Sequence, residues 1–592
     1  MSLPLPSGAW GASCRLGVTL IALAALSLVR FVYERALVPL YGSGPTTHTL
    51  NAVVVSAALV AAVKPFRIFQ TRTLLIAGVL FAGAPLSTYW VAVRTARWGR
   101  PVVGPLVTHL TVLAPLVSVV TALVVDFHFE NSTTSRRTFG YRVFAGLACF
   151  GATTRLSGFW EGVSYLNGVS DSQIYLGLAA ALFNLWIIAL QTRRPAVPRK
   201  NLKRAAKDAS SPVTKPSLVL VFNLLWWNLH PWLASPVLPH PLPQPYTHPK
   251  FPLQILYSVQ STTGLIVVGD ALPPPTYQGG QDSEMHSLRY LRASHSLLGG
   301  TWMGGKIATI DEAPPLRDSF GTPMGDSIYG AFVLQEAARL VETNTTPERA
   351  LIIGLGAGIS ATAFSRHNIA TTIVEIDPAV YDAARLYFGL PAHPPSNLFL
   401  EDARAWAARR RAEKQNTLFD IVVHDCFSGG GVPEHIFTIQ FWDDLKTQVA
   451  PQGIVVVNFA GMIKSESARM ISQTLAKSFG TCRVFHDAQK PITEEEYETE
   501  TINMAFFCAL HNDPLTFRKA LSADYLDSYL REFVLSSLAE REVDLRLLTG
   551  KLDDRFVLTD SHNPLGRIQD EFAHHHWWLM RQVLPNVFWE TY

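Results

Sequence analysis

The chain has 592 residues, of which 48% are hydrophobic and 16% charged, so more than one compact unit is expected. The formal net charge is only +3 and no basic stripe carries interleaved aromatic residues, which argues against a nucleic-acid partner. The five cysteines are scattered and odd in number, which predicts neither a metal site nor a disulfide framework.

The first 238 residues contain most of the long apolar runs and predict a multi-span transmembrane domain. A helical span needs about 20 mostly apolar residues. Seven stretches approach that length, more than buried helices of a soluble domain would explain, so the lipid bilayer is an expected partner. These stretches cover about 17–34, 49–66, 73–94, 102–125, 139–160, 173–192 and 216–235.

The sequence leaves the membrane orientation open. Seven Lys and Arg residues lie between 193 and 207, and by the positive-inside rule this loop is cytosolic. If all seven stretches span the membrane, the C-terminal half of the chain is lumenal. If 216–235 is re-entrant or interfacial, the C-terminal half is cytosolic. The second arrangement is favoured because the expected cofactor is made in the cytosol. Asn131 and Asn344 each begin an Asn-x-Thr glycosylation pattern, and a sugar on Asn344 would require a lumenal domain.

The remainder of the chain divides into three segments. Residues 239–252 are rich in proline and predict an extended linker. Residues 253–345 form a small β-rich region, in which 255–260 and 265–268 predict a hairpin, and a lead-in helix over 327–340. Residues 346–592 alternate short apolar strands with helical segments, which predicts an α/β doubly wound, mainly parallel sheet with a C-terminal extension.

Glycines and acidic residues mark the ends of the predicted strands. The strand 350–353 runs directly into Gly354, Gly356 and Gly358, which would let a ligand approach the backbone at a helix N-terminus. Two further strands end at Glu375 and Asp402. In doubly wound sheets ligands bind at these carboxyl ends.

This pattern predicts a nucleotide site. Glu375 is placed to accept hydrogen bonds from ribose hydroxyls, and Asp377 lies two residues after it. Asp402 is placed to accept from an adenine amino group, with the backbone of Ala403 donating to the ring. The rival ligand is NAD. The missing third glycine of a GxGxxG pattern and the acidic third strand end favour S-adenosylmethionine.

From 253 to about 565 the chain resembles the spermidine/spermine synthase family, especially its membrane-fused branch. Ser327-Ile-Tyr329 resembles the segment in which that family places a substrate-contacting tyrosine. The other matching motifs are Leu351-Ile-Ile-Gly-Leu-Gly-Ala-Gly358, Val374-Glu-Ile-Asp-Pro378, Glu401-Asp-Ala403, Phe419-Asp-Ile-Val-Val-His-Asp425, Ile436-Phe-Thr-Ile-Gln-Phe441 and Val557-Leu-Thr-Asp560.

The resemblance implies aminopropyl transfer from decarboxylated S-adenosylmethionine to a small-molecule amine or another acceptor. The family holds the aminopropyl ammonium with an aspartate in the glycine loop and uses a second aspartate as the base. This chain has Ala357 and Ser428 at those positions. Three interpretations stay open: an aminopropyltransferase with relocated acids, an S-adenosylmethionine-dependent methyltransferase, and a non-catalytic membrane scaffold. A homo-oligomer is compatible with each.

The predicted catalytic residues are Asp425, Tyr329 and His435. Asp425 ends a strand and, with Tyr329, is expected to face the acceptor, while His435 is a candidate base in the following loop. The run His574-His575-His576 does not predict a metal site, because consecutive histidines on a helix point in different directions.

Overall fold

The computed structural model describes residues 9–63, 70–129, 136–191, 214–273, 287–414, 417–490, 492–493 and 495–592. The chain forms two compact units, Met1–Pro239 and His240–Tyr592. The basic segment 193–207 and the sequon at Asn131 lie outside the described residues.

The described part of the first unit is mainly helical. A π-helical turn at His109–Leu113 interrupts one of the long helices. The helices are α1 Ala9–Tyr41, α2 Ser43–His48, α3 Leu50–Val63, α4 Gln70–Ala96, α5 Val103–Thr108, α6 Ala114–Phe129, α7 Arg136–Glu161, α8 Asp171–Gln191 and α9 Thr214–Leu233.

Five segments of the described helices are long and apolar enough to cross a membrane, on length and composition. The predicted spans at 139–160 and 216–235 form α7 and α9, which are not among the segments long and apolar enough to cross a membrane. The five segments are Leu16–Tyr41, Ser43–Val63, Thr71–Ala96, Val103–Val125 and Asp171–Leu190.

One cluster of polar side chains in the helical unit is paired across three helices. Arg30, near the middle of α1, donates to Glu34 at 2.9 Å, to Thr154 at 2.7 Å and to Asn51 at 2.8 Å. Such pairing offsets the cost of removing a guanidinium from water. These residues therefore join α1, α3 and α7 within the bundle.

The second unit begins with an antiparallel sheet of five strands in sequential order. Its strands are β1 Tyr246–Thr247, β2 Leu253–Ser261, β3 Gly264–Ala271, β4 Leu288–Ala293 and β5 Ser296–Trp302. β2 and β3 pair from Leu253 opposite Ala271 to Ser261 opposite Gly264, so the predicted hairpin forms and is longer than predicted. A small pair follows, β6 Leu316–Arg317 and β7 Pro323–Met324.

An eight-stranded sheet forms the centre of the second unit. Its strands are β8 Arg349–Ile353, β9 Ala370–Val374, β10 Leu398–Phe399, β11 Phe419–His424, β12 Val449–Gly461, β13 Thr481–His486, β14 Ile502–Ala509 and β15 Glu542–Val543. The order is β10-β9-β8-β11-β12-β14-β13-β15. The first five pair in parallel and the last three antiparallel, which confirms a mainly parallel α/β sheet.

Both faces of this sheet are buried, as the near-continuous apolar strands require. In β8, Ile352 belongs to the core on one face and Ile353 to the core on the other.

The α-helices described in the second unit are α10 Gly330–Gln335, α11 Ile359–Arg366, α12 Pro378–Tyr387, α13 Ala403–Ala412, α14 Ile439–Leu445, α15 Glu466–Ser478, α16 Glu496–Thr499, α17 Tyr529–Ser536, α18 Leu545–Thr549, α19 Leu565–Val583 and α20 Asn586–Glu590.

The expectation that the cysteines form no disulfide is wrong for one pair. Cys482 on β13 is bonded to Cys508 on β14, with their Cα atoms 4.1 Å apart. The two residues are directly opposite each other in the antiparallel register. They are separated by 26 positions in the chain, so only the strand pairing brings them together.

Candidate active site

A cavity of about 480 Å³ opens at the carboxyl ends of β8, β9 and β11. This is where ligands bind in doubly wound sheets. The cavity brings together most of the residues predicted from the sequence. Those lining it are Tyr329, Gly354, Gly356, Glu375, Asp402, Ala403, Asp425 and His435.

The glycine loop joins β8 to α11 in a conformation that glycine favours. The φ angles of Gly354, Gly356 and Gly358 are 79°, 54° and 73°. A Cβ on Gly354 would lie 2.1 Å from the carbonyl oxygen of Asp425. The loop therefore passes directly beside the end of β11, and Gly358 precedes the first turn of α11.

Replacing Gly354 with alanine is expected to destabilise the second unit by at least about 2 kcal/mol. The added Cβ would overlap the backbone carbonyl of Asp425, and alanine would be strained at the positive φ angle of this position. Thermal unfolding of the full chain in detergent should show a midpoint for the second unit that is lower by about 3 °C or more. Gly305→Ala is the matched control, since nothing lies within 4 Å of a Cβ there. Equal midpoints for both variants would contradict this description of the loop.

Glu375 joins the glycine loop to the end of β9. Its Oε2 accepts from the backbone N–H of Leu355 at 2.8 Å, and its Oε1 from that of Asp377 at 2.9 Å. Burial raises the pKa of Glu375 to about 7. Each carboxylate oxygen keeps a second lone pair, so the group can still accept hydroxyl hydrogens from a ligand in the cavity.

Asp377 lies apart from the cavity lining, although the sequence predicted it as a cofactor contact. Its fully buried carboxylate accepts from the hydroxyls of Ser261 and Thr263 at 2.5 and 2.6 Å, and from the N–H of Ala379 at 2.9 Å. These bonds fix the β2–β3 turn to the start of α12. The carboxylate is thus engaged in holding the five-stranded sheet in place.

Asp402 and His435 form a pair at one side of the cavity. The Asp402 Oδ2 and the His435 Nε2 are 2.7 Å apart, and Asp402 also accepts from the N–H of Ala405 at 3.0 Å, capping α13. Partial burial would raise the pKa of Asp402, but these hydrogen bonds outweigh it and lower the pKa. His435 therefore contacts the residue predicted to bind adenine, which favours a positioning role over that of the base.

Asp425 lies at the end of β11, half-buried and facing the cavity. Its Oδ1 accepts from the side-chain amide of Asn458, and its Oδ2 from that of Gln335, both at 2.7 Å. Burial raises the pKa of Asp425, and the two amide bonds oppose this. Tyr329 lines the same cavity, and burial raises its pKa as well. Asp425 is therefore a positioned carboxylate with lone pairs left for a substrate.

The sequence did not identify the two amides that hold Asp425 in place. Asn458 stands inside β12, where a polar residue among apolar neighbours is a weak signal. Gln335 is the last residue of α10 and carries no such signal.

The C-terminal helix α19 contributes His576, Leu579, Met580 and Val583 to the cavity wall. A Cβ on Gly430 would lie 2.7 Å from the Cα of Ala573, so the loop after β11 packs directly on this helix. Among the described residues no group of three or more His, Cys, Asp and Glu side chains could hold a metal ion.

The positions of Ala357 and Ser428 bear on which donor the cavity takes. Ala357 is buried against β5, where a Cβ on Gly299 would lie 2.7 Å from its methyl group. Ser428 is exposed and its backbone pairs with that of Gly431. Neither position places a carboxylate beside Asp425.

The strand order, the glycine loop and the acidic strand ends together define a transferase domain of the spermidine synthase and methyltransferase class. Residues 337–490 match the family described as the Spermine/spermidine synthase domain. The N-terminal histidine N-methyltransferase of Emericella nidulans is 31% identical over 595 residues, covering 97% of this chain and 96% of that protein. The chain belongs to the same family as that protein.

Two further similarities cover a smaller share of the chain. The polyamine aminopropyltransferase of Vibrio vulnificus is 35% identical over 138 residues, which is 23% of this chain and 45% of that protein. The crystal structure of a probable spermidine synthase from Corynebacterium glutamicum aligns with a TM-score of 0.35 and 16% identity, covering 52% of this chain and 95% of that one.

Proposed function

We propose that this protein is a membrane-anchored methyltransferase that moves the methyl group of S-adenosylmethionine to a ring nitrogen of an N-terminal histidine. The observation that carries this proposal is the 31% identity to an N-terminal histidine N-methyltransferase over 97% of the chain and 96% of that protein. The similarity extends through the helical unit as well as the α/β unit, so it concerns the whole architecture.

The cavity supports binding of the donor nucleoside. Glu375 is available to the ribose hydroxyls and Asp402 to the adenine amino group. The glycine loop admits the rest of the nucleotide close to the backbone at the start of α11. Because position 357 carries a methyl group packed against β5, the loop offers no carboxylate to hold a free aminopropyl ammonium.

Asp425 supports chemistry on an imidazole acceptor. If its carboxylate accepts the N–H of one ring nitrogen, the other nitrogen keeps its lone pair directed at the methyl carbon, as carboxylates orient histidine elsewhere. The new C–N bond forms as the C–S bond breaks, and the electron pair of that bond stays on sulfur as a neutral thioether. The ring then carries a positive charge, and its N–H proton passes to Asp425 or to water.

An imidazole acceptor also accounts for the loss of the family's base. An alkyl amine with a pKa of about 10 is mostly protonated at neutral pH and needs a base to become a nucleophile. A histidine ring with a pKa of about 6.5 is mostly neutral. A serine at position 428 is therefore compatible with methyl transfer to histidine.

Asp487 offers a further anionic group for the α-ammonium of the acceptor. Its Oδ2 accepts from Asn503 at 3.0 Å, and Asn503 lines the cavity with Tyr329. Burial raises the pKa of Asp487, with the Asn503 hydrogen bond opposing. Asp487 itself is not among the residues that line the cavity, so we assign the ammonium to it on its contact with Asn503 alone.

The helical unit supports a membrane anchor. Five segments of the described helices have the length and composition of spans. In α9, large apolar side chains face outward, with Leu224 60%, Trp227 76% and Trp232 82% exposed. Exposed apolar surface of this extent is compatible with lipid contact.

Aminopropyl transfer to an amine, the function predicted from the family resemblance, is the second candidate. The match of residues 337–490 to the Spermine/spermidine synthase domain favours it. The two candidates differ in donor, since aminopropyl transfer requires the decarboxylated nucleotide.

Donor affinity is expected to fall at acid pH. The ionised form of Glu375 accepts ribose hydroxyls, so binding favours loss of its proton. With a pKa of about 7, affinity should be constant above pH 8 and fall up to about tenfold per pH unit below 7. Calorimetry of S-adenosylmethionine binding between pH 5.5 and 8.5 measures this, and Glu375→Gln should flatten the profile. A wild-type profile as flat as that of the variant would contradict the assignment.

Three peptides test the acceptor. One begins with histidine, the second is the same peptide acetylated at its N-terminus, and the third has an alanine before the histidine. The full chain in detergent, supplied with methyl-labelled S-adenosylmethionine, should label only the first. Equal labelling of all three would refute recognition of the terminus, and labelling of none would refute the proposed function.

A further inference from the structure

The second unit contains one described disulfide bond, between Cys482 and Cys508. This bond links two neighbouring strands of the central sheet, and Cys508 is fully buried. Disulfides form and persist in oxidising compartments and are rare in the cytosol. Of the cysteines whose side chains the structure describes, Cys149 and Cys426 are free, and the strand register places Cys482 opposite Cys508.

An independent feature of the same unit is the exposed sequon Asn344-Thr-Thr346. Asn344 lies in the loop before β8, and all three residues of the sequon are exposed. The backbone N–H of Asn344 donates to the side chain of Gln452 at 3.0 Å, and the Thr343 hydroxyl donates to the carbonyl of Thr345 at 2.6 Å. The loop is thus held at its backbone while the asparagine side chain stays accessible.

The position of this loop leaves the active site open. The loop precedes β8 and therefore lies at the amino ends of the parallel strands. The cavity lies at their carboxyl ends. A glycan on Asn344 would extend from the edge of the sheet opposite to the donor and acceptor sites.

We infer that the second unit folds in the lumen of an oxidising, glycosylating compartment, with Cys482 and Cys508 bonded and an N-linked glycan on Asn344. The basic sequence between 193 and 207, on the cytosolic side by the positive-inside rule, agrees with this if α9 crosses the membrane. The inference does not rest on the proposed reaction, and it requires that any cytosolic donor enter that compartment.

The disulfide is tested on the wild-type full chain expressed in a eukaryotic cell. Membranes are opened in an excess of alkylating reagent, which blocks free thiols before they can oxidise. Cys149 and Cys426 should be alkylated before reduction, whereas Cys482 and Cys508 should be alkylated only after it and be recovered without reduction as one cross-linked peptide. Free thiols at both positions would overturn the oxidising compartment.

The glycan is tested by the gel shift that an endoglycosidase causes. One step of that shift should disappear in Asn344→Gln and in Thr346→Ala, and persist in Thr345→Ala, which keeps the sequon. Asn131→Gln separates any contribution from the other sequon. A shift that is the same in wild type, Asn344→Gln and Thr346→Ala would overturn the modification at Asn344, independently of the thiol result and of any transferase assay.

Discussion

Asp425→Asn is expected to lower methyl transfer to a peptide with an N-terminal histidine by about 10²- to 10⁴-fold, the range for a missing acid–base group. The amide keeps the size of the carboxylate but cannot take a proton or stabilise a positively charged ring. Its NH₂ group also replaces one of the two oxygens that accept from Gln335 and Asn458, so one of these amide donors loses its acceptor. The loss should appear in kcat, while the affinity for S-adenosylmethionine stays within about twofold.

A charge-matched control is Asp570→Asn on α19, because Asp570 is exposed. This variant should retain wild-type transfer. Single-turnover kinetics with saturating donor separates chemistry from binding. Transfer by Asp425→Asn at the wild-type rate would remove Asp425 from the reaction and leave the imidazole ring of the acceptor without an assigned carboxylate.

Glu375→Gln is expected to weaken S-adenosylmethionine binding by about 10- to 100-fold, since hydrogen bonds to a charged group contribute about 1.5–3 kcal/mol. The amide can accept at one atom only, so it cannot satisfy both backbone N–H groups that Glu375 binds. Calorimetric titration at pH 8, where the wild-type side chain is ionised, measures the change.

Glu401→Gln is the matched control for that titration. Glu401 also lines the cavity, but its carboxylate is paired with Arg409 at 2.6 Å in a partly exposed position. An exposed ion pair contributes about 1 kcal/mol or less, so the donor affinity of this variant should change by less than about fivefold. A larger effect at Glu401 than at Glu375 would contradict the assigned ribose contact.

The residues that we assign to the donor could be predicted to lie together because they sit next to strand ends. Glycines after β8 and acidic residues after β9 and β10 mark positions that any doubly wound sheet brings to one edge. The same reasoning predicted Asp377 as a cofactor contact, because it also follows a strand end, but its carboxylate lies apart from the cavity lining. Proximity to a strand end does not reveal that the β2–β3 turn occupies the carboxylate.

The acceptor side depends on contacts between distant parts of the chain. Gln335 lies 90 positions from Asp425, and α19 reaches the cavity from the C-terminal region. The disulfide likewise follows from strand register and not from cysteine spacing. Tertiary packing determines such contacts, so the residue pattern of one segment does not predict them.

The most direct test gives the full chain a peptide that begins with histidine together with equal amounts of S-adenosylmethionine and its decarboxylated form. The mass of the modified peptide, fragmented to locate the change, reports which group was transferred and where. The proposed function predicts one methyl group on the ring of the first residue. An added aminopropyl group, or a methyl group at any other residue, would contradict it.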